Sequence, residues 1–192
     1  MTVTTGIRVG RYEVGRELGK GGFGILHVAR DVELDREIAI KFLRPEHAFR
    51  RDTVQRFLQE ARAAARIQHP GIVTVFESGV VEGTATRADG TVYIAMELLA
   101  GETLSARLRR EGRFAPAAAI AIVRQLASAL AAAHAAGIVH RDLTPHNVFL
   151  VPDAAVVGGE RVKVVDFGIA KLVDGLGANV QTHSLVVLGT PM

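Results

Sequence analysis

The chain has 192 residues, 48% of them hydrophobic and 22% charged, and a formal net charge of +3 at pH 7. This length and hydrophobicity suffice for one sizeable core or two small lobes. Because the sequence contains no cysteine, disulfide bonds and thiolate metal sites are excluded.

The basic excess comes almost entirely from arginine and forms no dense run with interleaved aromatic residues, so we expect no nucleic-acid partner. The N-terminus lacks the basic and apolar regions of a signal peptide. The longest alanine-rich stretch, 115–136, is interrupted by Arg124, Gln125 and His134, which predicts a buried helix rather than a membrane segment. We therefore expect a soluble, cytoplasmic protein with no membrane segment in this chain.

A glycine-rich loop is predicted between the first two strands, 12–18 and 25–29. The loop consists of Gly19, Lys20, Gly21, Gly22, Phe23 and Gly24. Its glycines allow backbone amides to approach phosphate oxygens closely, because no side chain intervenes. A dinucleotide-binding loop has similar glycine spacing but must open a helix. The β-favouring run that follows therefore argues against a dinucleotide site.

Lys41 lies in a predicted third strand, 37–43, downstream of this loop. A lone strand lysine is normally solvated, but within an apolar strand its ammonium needs an anionic partner. The next predicted helix, 52–68, offers Glu60 at the edge of an apolar stripe, where it points either inward or to solvent. Asp52 and Gln55 resemble a capping box at the start of this helix.

Strands 72–76 and 93–99, joined by a polar loop over 81–91, complete a strand-rich first half. We therefore expect one lobe over 1–99 and a second over 100–192. In the second, a short helix over 103–110 precedes a long helix that Pro116 opens and Gly137 ends. The stripe of this helix predicted to face a core comprises Ile120, Val123, Ala127, Leu130 and His134.

The most polar cluster is the sequence His-Arg-Asp-Leu-Thr-Pro-His-Asn over 140–147, between the long helix and an apolar run. Loops held by a rigid scaffold carry catalytic groups disproportionately. Strands over 148–151 and 161–165 are predicted to pair around a glycine-containing loop. Asp166, which closes the second of these strands and precedes Phe167 and Gly168, is a candidate metal ligand.

Taken together, these motifs closely resemble a bacterial-type Ser/Thr protein kinase domain of the eukaryotic-like family, over nearly the whole chain. The glycine-rich loop, Lys41, Glu60, the sequence 140–147 and Asp166 occur in the family's order. The resemblance implies an α+β, two-lobed protein kinase-like fold. Its N-lobe is β-rich with one main helix, and its C-lobe is mainly helical and incomplete.

The resemblance also implies which residues bind ATP. Lys41 holds the α- and β-phosphates and pairs with Glu60 in the active arrangement, while Met96 lies behind the adenine. The expected nucleotide-contacting residues are Leu18, Gly19, Lys20, Gly21, Gly22, Phe23, Gly24, Ile25, Leu26, Ala39, Lys41, Met96, Glu97, Leu99 and Phe149.

The implied reaction is phosphoryl transfer from Mg-ATP to a serine or threonine hydroxyl of a protein substrate. In this family pattern Asp142 orients and deprotonates the hydroxyl, and Asn147 and Asp166 bind Mg²⁺. Catalysis then consists of positioning and charge neutralisation. Phosphorylation of Thr182 or Ser184 is an expected means of control in such a domain.

Two departures from the family pattern bear on activity. Thr144 stands where the family has a lysine that contacts the γ-phosphate, and loss of such a contact can lower the rate ~10²–10³-fold. The sequence also stops before the Ala-Pro-Glu motif and the later helices. This predicts a truncated kinase domain with little or no activity by itself.

The main alternative is a non-catalytic nucleotide-binding or scaffolding pseudokinase module. Retention of Lys41, Asp142, Asn147 and Asp166 favours the enzyme, whereas Thr144 and the missing helices favour the scaffold. A small-molecule kinase with the same fold is a third possibility, because its distinguishing features would lie in the missing part.

Overall fold

Six antiparallel strands form the larger of two sheets in the computed structural model, which describes residues 6–82 and 90–167. Along the sheet they follow the order β1-β2-β3-β4-β6-β5. Residues 38, 40 and 42 alternate along one strand and so bury one face of the sheet. The strands are β1 (Arg8–Val9), β2 (Tyr12–Lys20), β3 (Gly24–Asp31), β4 (Arg36–Leu43), β5 (Val75–Val80) and β6 (Val92–Glu97).

Two helices, α1 (Pro45–Ala48) and α2 (Arg51–Ala65), connect β4 to β5. Phe57 and Ala61 lie one turn apart on α2 and pack with residues of β4 and β6 in a shared core. The predicted capping box is wrong. The chain already enters helical geometry at Arg51, so Asp52 lies inside the first turn, where its side chain caps nothing. Its carboxylate instead lies 3.5 Å from the Arg56 guanidinium.

The second lobe combines two helices with a three-stranded sheet in the order β7-β8-β9. The Thr103 hydroxyl accepts a hydrogen bond from the Ala106 amide at 3.1 Å and so caps α3. Gly137, with φ of +74°, follows the end of α4 in the left-handed conformation that glycine adopts easily. The elements are β7 (Glu102–Thr103), α3 (Leu104–Glu111), α4 (Pro116–Ala135), a 3₁₀ turn (Pro145–Asn147), β8 (Val148–Pro152) and β9 (Glu160–Val164).

The orientation predicted for α4 is wrong. Ile120 and Val123 are 59% and 60% exposed, and His134 is exposed too, whereas Ala129 and Ala133 are fully buried. Because α4 is apolar on nearly every side, its periodicity carries little information about which face is buried. The buried face is marked by Gln125, whose side-chain amide bonds the Glu160 carbonyl and the Val162 amide of β9.

By length and composition, α4 is the one helix in the described part of the chain that could cross a membrane. In this fold, the Gln125 side chain makes two hydrogen bonds to β9, and Ala129 and Ala133 are buried. Helix α4 is a supporting helix of the second core.

The segment between α2 and β5 packs against the second lobe. The Val73 amide donates to the Val164 carbonyl at 3.0 Å, and the Val164 amide donates to the Gly71 carbonyl at 2.8 Å. These bonds to β9 explain why β5 begins at Val75, later than predicted. Ile67 and Ile72 also lie in the core that contains β8 and β9. The boundary at residue 99 stays a prediction, because the packing crosses it.

We predict that Gly101→Ala destabilises the protein by about 3 kcal/mol, because an added Cβ would overlap the Leu150 carbonyl oxygen of β8. Neither backbone can retreat without disturbing the β7–β8 pairing. Chemical denaturation measures the change in the free energy of unfolding. The neighbouring exposed substitution Ala100→Ser is the control and should change it by less than about 0.5 kcal/mol. Equal stability of the two variants would contradict this packing.

Candidate active site

A cleft of about 540 Å³ opens between the two sheets. This volume includes space that is open to solvent. Its lining residues come from both lobes and from the segments that connect them. They are Leu18, Leu26, Ala39, Lys41, Val73, Met96, Glu97, Leu98, Leu99, His146, Asn147, Phe149, Val165 and Asp166.

One end of the cleft is apolar and the other is charged. Leu26 and Ala39 face it from the first sheet, and Phe149 faces it from β8 in the second. Such opposed apolar walls suit a flat aromatic ring. At the other end, Lys41 and Asp166 supply a cation and an anion.

Lys41 makes the central polar contact of the cleft. Its side chain is 9% exposed, and Nζ donates to Asp166 Oδ1 at 2.7 Å. Burial by itself lowers the pKa of Lys41, but the negative charges of Asp166 and Glu60 outweigh burial and raise it. The ammonium is therefore charged. Glu60, on α2, lies in a smaller pocket together with Lys41 and Asp166.

His140 connects the loop over 140–147 to the segment that carries Asp166. Its Nε2 lies 3.0 Å from the Val165 carbonyl oxygen, and its ring packs at 4.8 Å from the ring of Phe167. Burial lowers the pKa of His140, although the Val165 carbonyl and the nearby carboxylates oppose this effect. Asp166 itself has φ of +53°, so a residue with a side chain is held in the left-handed region beside the cleft.

Asn147 is buried at the base of the cleft and held from several sides. Its side-chain Nδ2 donates to the Asp142 backbone carbonyl at 2.9 Å, and its backbone carbonyl accepts from the Val165 amide at 3.0 Å. Since the amide nitrogen is used within the loop, the side-chain oxygen is the atom suited to a cation. Asp142 is half-buried on the same loop, outside the cleft lining.

The glycine-rich loop is a hairpin, as its sequence predicts. Lys20 pairs with Ile25, and the Gly21 amide donates to the Gly24 carbonyl at 2.8 Å. An added Cβ at Gly24 would lie 3.0 Å from the Lys41 side chain, so this glycine permits the close approach of β3 and β4. The predicted residues from Gly19 to Ile25 lie beside the cleft rather than in its lining, and the Phe23 ring packs against His47.

Four lining residues escaped the sequence analysis: Val73, Leu98, His146 and Val165. Val73 reaches the cleft only because it pairs with β9, a contact that no local pattern reveals. His146 directly precedes the candidate metal ligand Asn147, so its position in the sequence could have identified it as a cleft residue. Its Nε2 lies 3.0 Å from Ser105 Oγ of α3.

Thr144 occupies the position where a lysine was expected. Its hydroxyl oxygen is buried and has no hydrogen-bond partner among the described residues. Thr144 therefore brings no positive charge to the loop, and the cation that lines the cleft is Lys41 on β4. Gly168, Thr182, Ser184 and part of the predicted loop over 81–91 lie outside the described residues.

Metal binding at this cleft would depend on a second molecule. The described ranges 6–82 and 90–167 contain no cluster of three His, Cys, Asp or Glu side chains suited to a metal ion. Asp166 and Asn147 offer one carboxylate and one amide oxygen. This set fits Mg²⁺, which takes one or two protein ligands and completes its shell with water and phosphate oxygens.

Comparison with known proteins gives one consistent family. Residues 12–189 match the family model described as protein kinase domain. The Serine/threonine-protein kinase PknA of Mycobacterium tuberculosis is 39% identical over 181 residues, 94% of this chain and 39% of that protein. The Serine/threonine-protein kinase PrkC of Bacillus subtilis is 38% identical over 181 residues, again 94% of this chain but 26% of that protein.

Solved structures agree with the sequence relatives. A double mutant of the kinase domain of Mycobacterium tuberculosis PknI superposes with a TM-score of 0.70 at 29% identity, covering 88% of this chain and 64% of that chain. The apo form of PpkA-294 gives a TM-score of 0.71 at 27% identity, with 88% and 62% covered. The chain spans only 39% of the length of PknA and 26% of the length of PrkC.

We expect His140 to make the stability of the fold sensitive to acid. Its folded-state pKa lies below the ordinary value of 6.5, so above that pH neither state binds the proton and the full stability is present. As the pH falls below 6.5, the unfolded chain takes up the proton first and the folded state loses stability. The slope for this one proton is at most about 1.4 kcal/mol per pH unit.

We therefore expect His140→Gln to flatten the decline in the free energy of unfolding below pH 6.5, measured by urea denaturation across pH 7.5 to 5. The matched control is His134→Gln, on the exposed side of α4, which should keep the wild-type profile. If both variants follow the wild-type profile, the buried imidazole is not the source of the acid sensitivity.

Proposed function

Because the chain belongs to the protein kinase family, we propose that it binds Mg-ATP and transfers phosphate to a serine or threonine hydroxyl of a protein substrate. The observation that carries the proposal is the buried Lys41 ammonium, 2.7 Å from the Asp166 carboxylate at the charged end of a two-walled cleft. The relatives are named serine/threonine-protein kinases, which supports the choice of hydroxyl.

The apolar end of the cleft would take the purine. Leu26 and Ala39 would lie on one side of the ring and Phe149 on the other, with Met96 at the back. The Glu97 amide donates to the Thr74 carbonyl at 2.9 Å, and the Glu97 carbonyl would accept a hydrogen bond from the purine. The purine would thus be held by two apolar walls and a backbone edge.

The charged end would take the triphosphate. The Lys41 ammonium would contact phosphate oxygens, and the hairpin over 20–25 would cover them with backbone amides. Asp166 and Asn147 would hold Mg²⁺ through carboxylate and amide oxygens. When bound, Mg²⁺ would neutralise charge on the transferring phosphate.

Asp142 would then orient the substrate hydroxyl and accept its proton. The hydrogen bond from Asn147 Nδ2 to the Asp142 carbonyl fixes the base close to the proposed metal ligand. Such positioning supplies most of the acceleration in phosphoryl transfer, because the protein need not form a covalent intermediate.

A nucleotide-binding module without transfer activity is the second candidate, and Thr144 is the observation that favours it. A threonine with a buried hydroxyl cannot replace the charge of a lysine beside the γ-phosphate. Retention of Lys41, Asp142, Asn147 and Asp166 favours transfer. The two functions differ in one measurable property, which is phosphate transfer by a protein that binds Mg-ATP.

Substitutions on the two sides of the cleft should separate binding from transfer. For these assays the extended domain is residues 1–192 followed by the residues that come next in PknA. Lys41→Met and Asp166→Asn should each lower the transfer rate at least ~10³-fold, since each removes a charge that would face the triphosphate or metal. Asp142→Asn should abolish transfer but keep ATP affinity within about threefold, because the carboxylate would face the hydroxyl.

Asp35→Asn is the matched control, because it changes an exposed aspartate that pairs with Arg30 far along the sheet. It should keep the wild-type rate. Radiolabelled phosphate transfer and calorimetric ATP binding give the two readouts. An extended domain that binds Mg-ATP without measurable transfer would establish the scaffold instead of the enzyme.

We further propose that residues 1–192 alone transfer phosphate at least ~10²-fold more slowly than the extended domain, since small misplacements of catalytic groups have effects of this size. The exposed Ile120 and Val123 of α4 support this, because an apolar surface on the helix behind the second sheet lacks a covering element in the described residues. Side-by-side transfer assays of both proteins test it. Comparable rates would show that the shorter chain is sufficient.

A further inference from the structure

A half-buried ion pair between Lys163 and Glu97 lies beside the apolar end of the cleft, away from the proposed phosphate site. Lys163 of β9 places Nζ 2.5 Å from Glu97 Oε1 and 3.5 Å from the Ile72 carbonyl oxygen. The Lys163 side chain is only 12% exposed and that of Glu97 24%. One ammonium therefore connects β9, the end of β6 and the segment between α2 and β5.

Glu97 is held by more than this lysine. The same Oε1 accepts the Thr74 amide at 2.6 Å, and the Glu97 amide donates to the Thr74 carbonyl at 2.9 Å. Both the side chain and the backbone of Glu97 are thus fixed at the point where the chain leaves the large sheet. Glu97 also lines the cleft, next to Met96 and Leu98.

The lysine itself stands on a firmly placed strand. Its neighbour Val164 exchanges hydrogen bonds with Gly71 and Val73, and Lys163 pairs with Phe149 in the β8–β9 ladder. Phe149 is the apolar wall that the second lobe contributes to the cleft. A single strand register therefore links the position of Phe149 to the position of Glu97.

We propose that Lys163 is a positioning residue for nucleotide binding. Through Glu97 it fixes the backbone edge of the cleft at the distance from Phe149 that a purine ring requires. The proposal rests on the nucleotide-binding function given above. It differs from the roles given to Lys41 and Asp166, because it concerns the purine end and predicts an effect on ligands that have no phosphate.

The test is calorimetric binding of adenosine and of Mg-ATP to residues 1–192 and their variants. Lys163→Met should weaken adenosine and ATP by the same factor, about tenfold, because it removes a charge-assisted hydrogen bond and leaves the Glu97 charge without its lysine. Lys163→Arg keeps the charge and should bind both ligands within about threefold of wild type. Lys41→Met should weaken ATP while leaving adenosine affinity nearly unchanged, which separates the two ends of the cleft.

Arg161→Met is the matched control, since Arg161 lies two residues earlier on β9 and pairs with Asp153. It should keep wild-type affinity for both ligands. If Lys163→Met does not fold, Glu97→Gln decides, because glutamine can still accept the Thr74 amide while losing the charge that attracts Lys163. Glu97→Gln should also weaken adenosine about tenfold.

The outcomes separate the two proposals. A wild-type chain that binds neither ATP nor adenosine would overturn the proposed function and this inference with it. A wild-type chain that binds both, with Lys163→Met or Glu97→Gln indistinguishable from it, would overturn the inference alone. Equal weakening by Lys163→Met and Arg161→Met would assign the effect to general loosening of β9, and would also overturn it.

Discussion

The contact between Lys41 and Asp166 joins residues 125 positions apart in the chain, at 2.7 Å, across the opening between the two sheets. A buried ammonium needs a partner of opposite charge, so β4, which carries Lys41, and the segment after β9, which carries Asp166, depend on each other. The pairing of β3 with β4 brings Lys41 to the cleft, and the hydrogen bonds of His140 and Asn147 hold the segment that ends in Asp166. The proposed phosphate transfer requires both Lys41 and Asp166 to be held at the cleft at the same time.

The two lobes are joined by more than the chain that passes between them. Residues 71–73 pair with β9, and Lys163 of β9 reaches back to Glu97 at the end of the large sheet. The position of the apolar end of the cleft therefore depends on contacts between β9, the segment 71–73 and the end of β6. The Lys163–Glu97 pair is half-buried and hydrogen-bonded, and it lies where the two walls of the proposed purine site must keep a set separation.

Local patterns in the sequence predicted several features of the fold. The hairpin of the glycine-rich loop, the start of α3 after Thr103 and the end of α4 shortly before Gly137 follow from turn and capping chemistry. The buried face of α4 did not follow, since alanine on all sides leaves no periodic signal, and the hydrogen bonds of Gln125 decide it. Val73 was missed because its place in the cleft depends on pairing with a distant strand.

The position of a bound nucleotide is the most direct measurement of how the cleft is used. A crystal structure with Mg²⁺ and a non-hydrolysable ATP analogue should show the triphosphate beside Lys41 and Asp166, with the purine against Phe149. The analogue's phosphates would then lie at the charged end and its ring between the apolar walls. Density for the analogue outside this cleft, with the Lys41–Asp166 contact unchanged, would contradict the assignment of the cleft as the catalytic site.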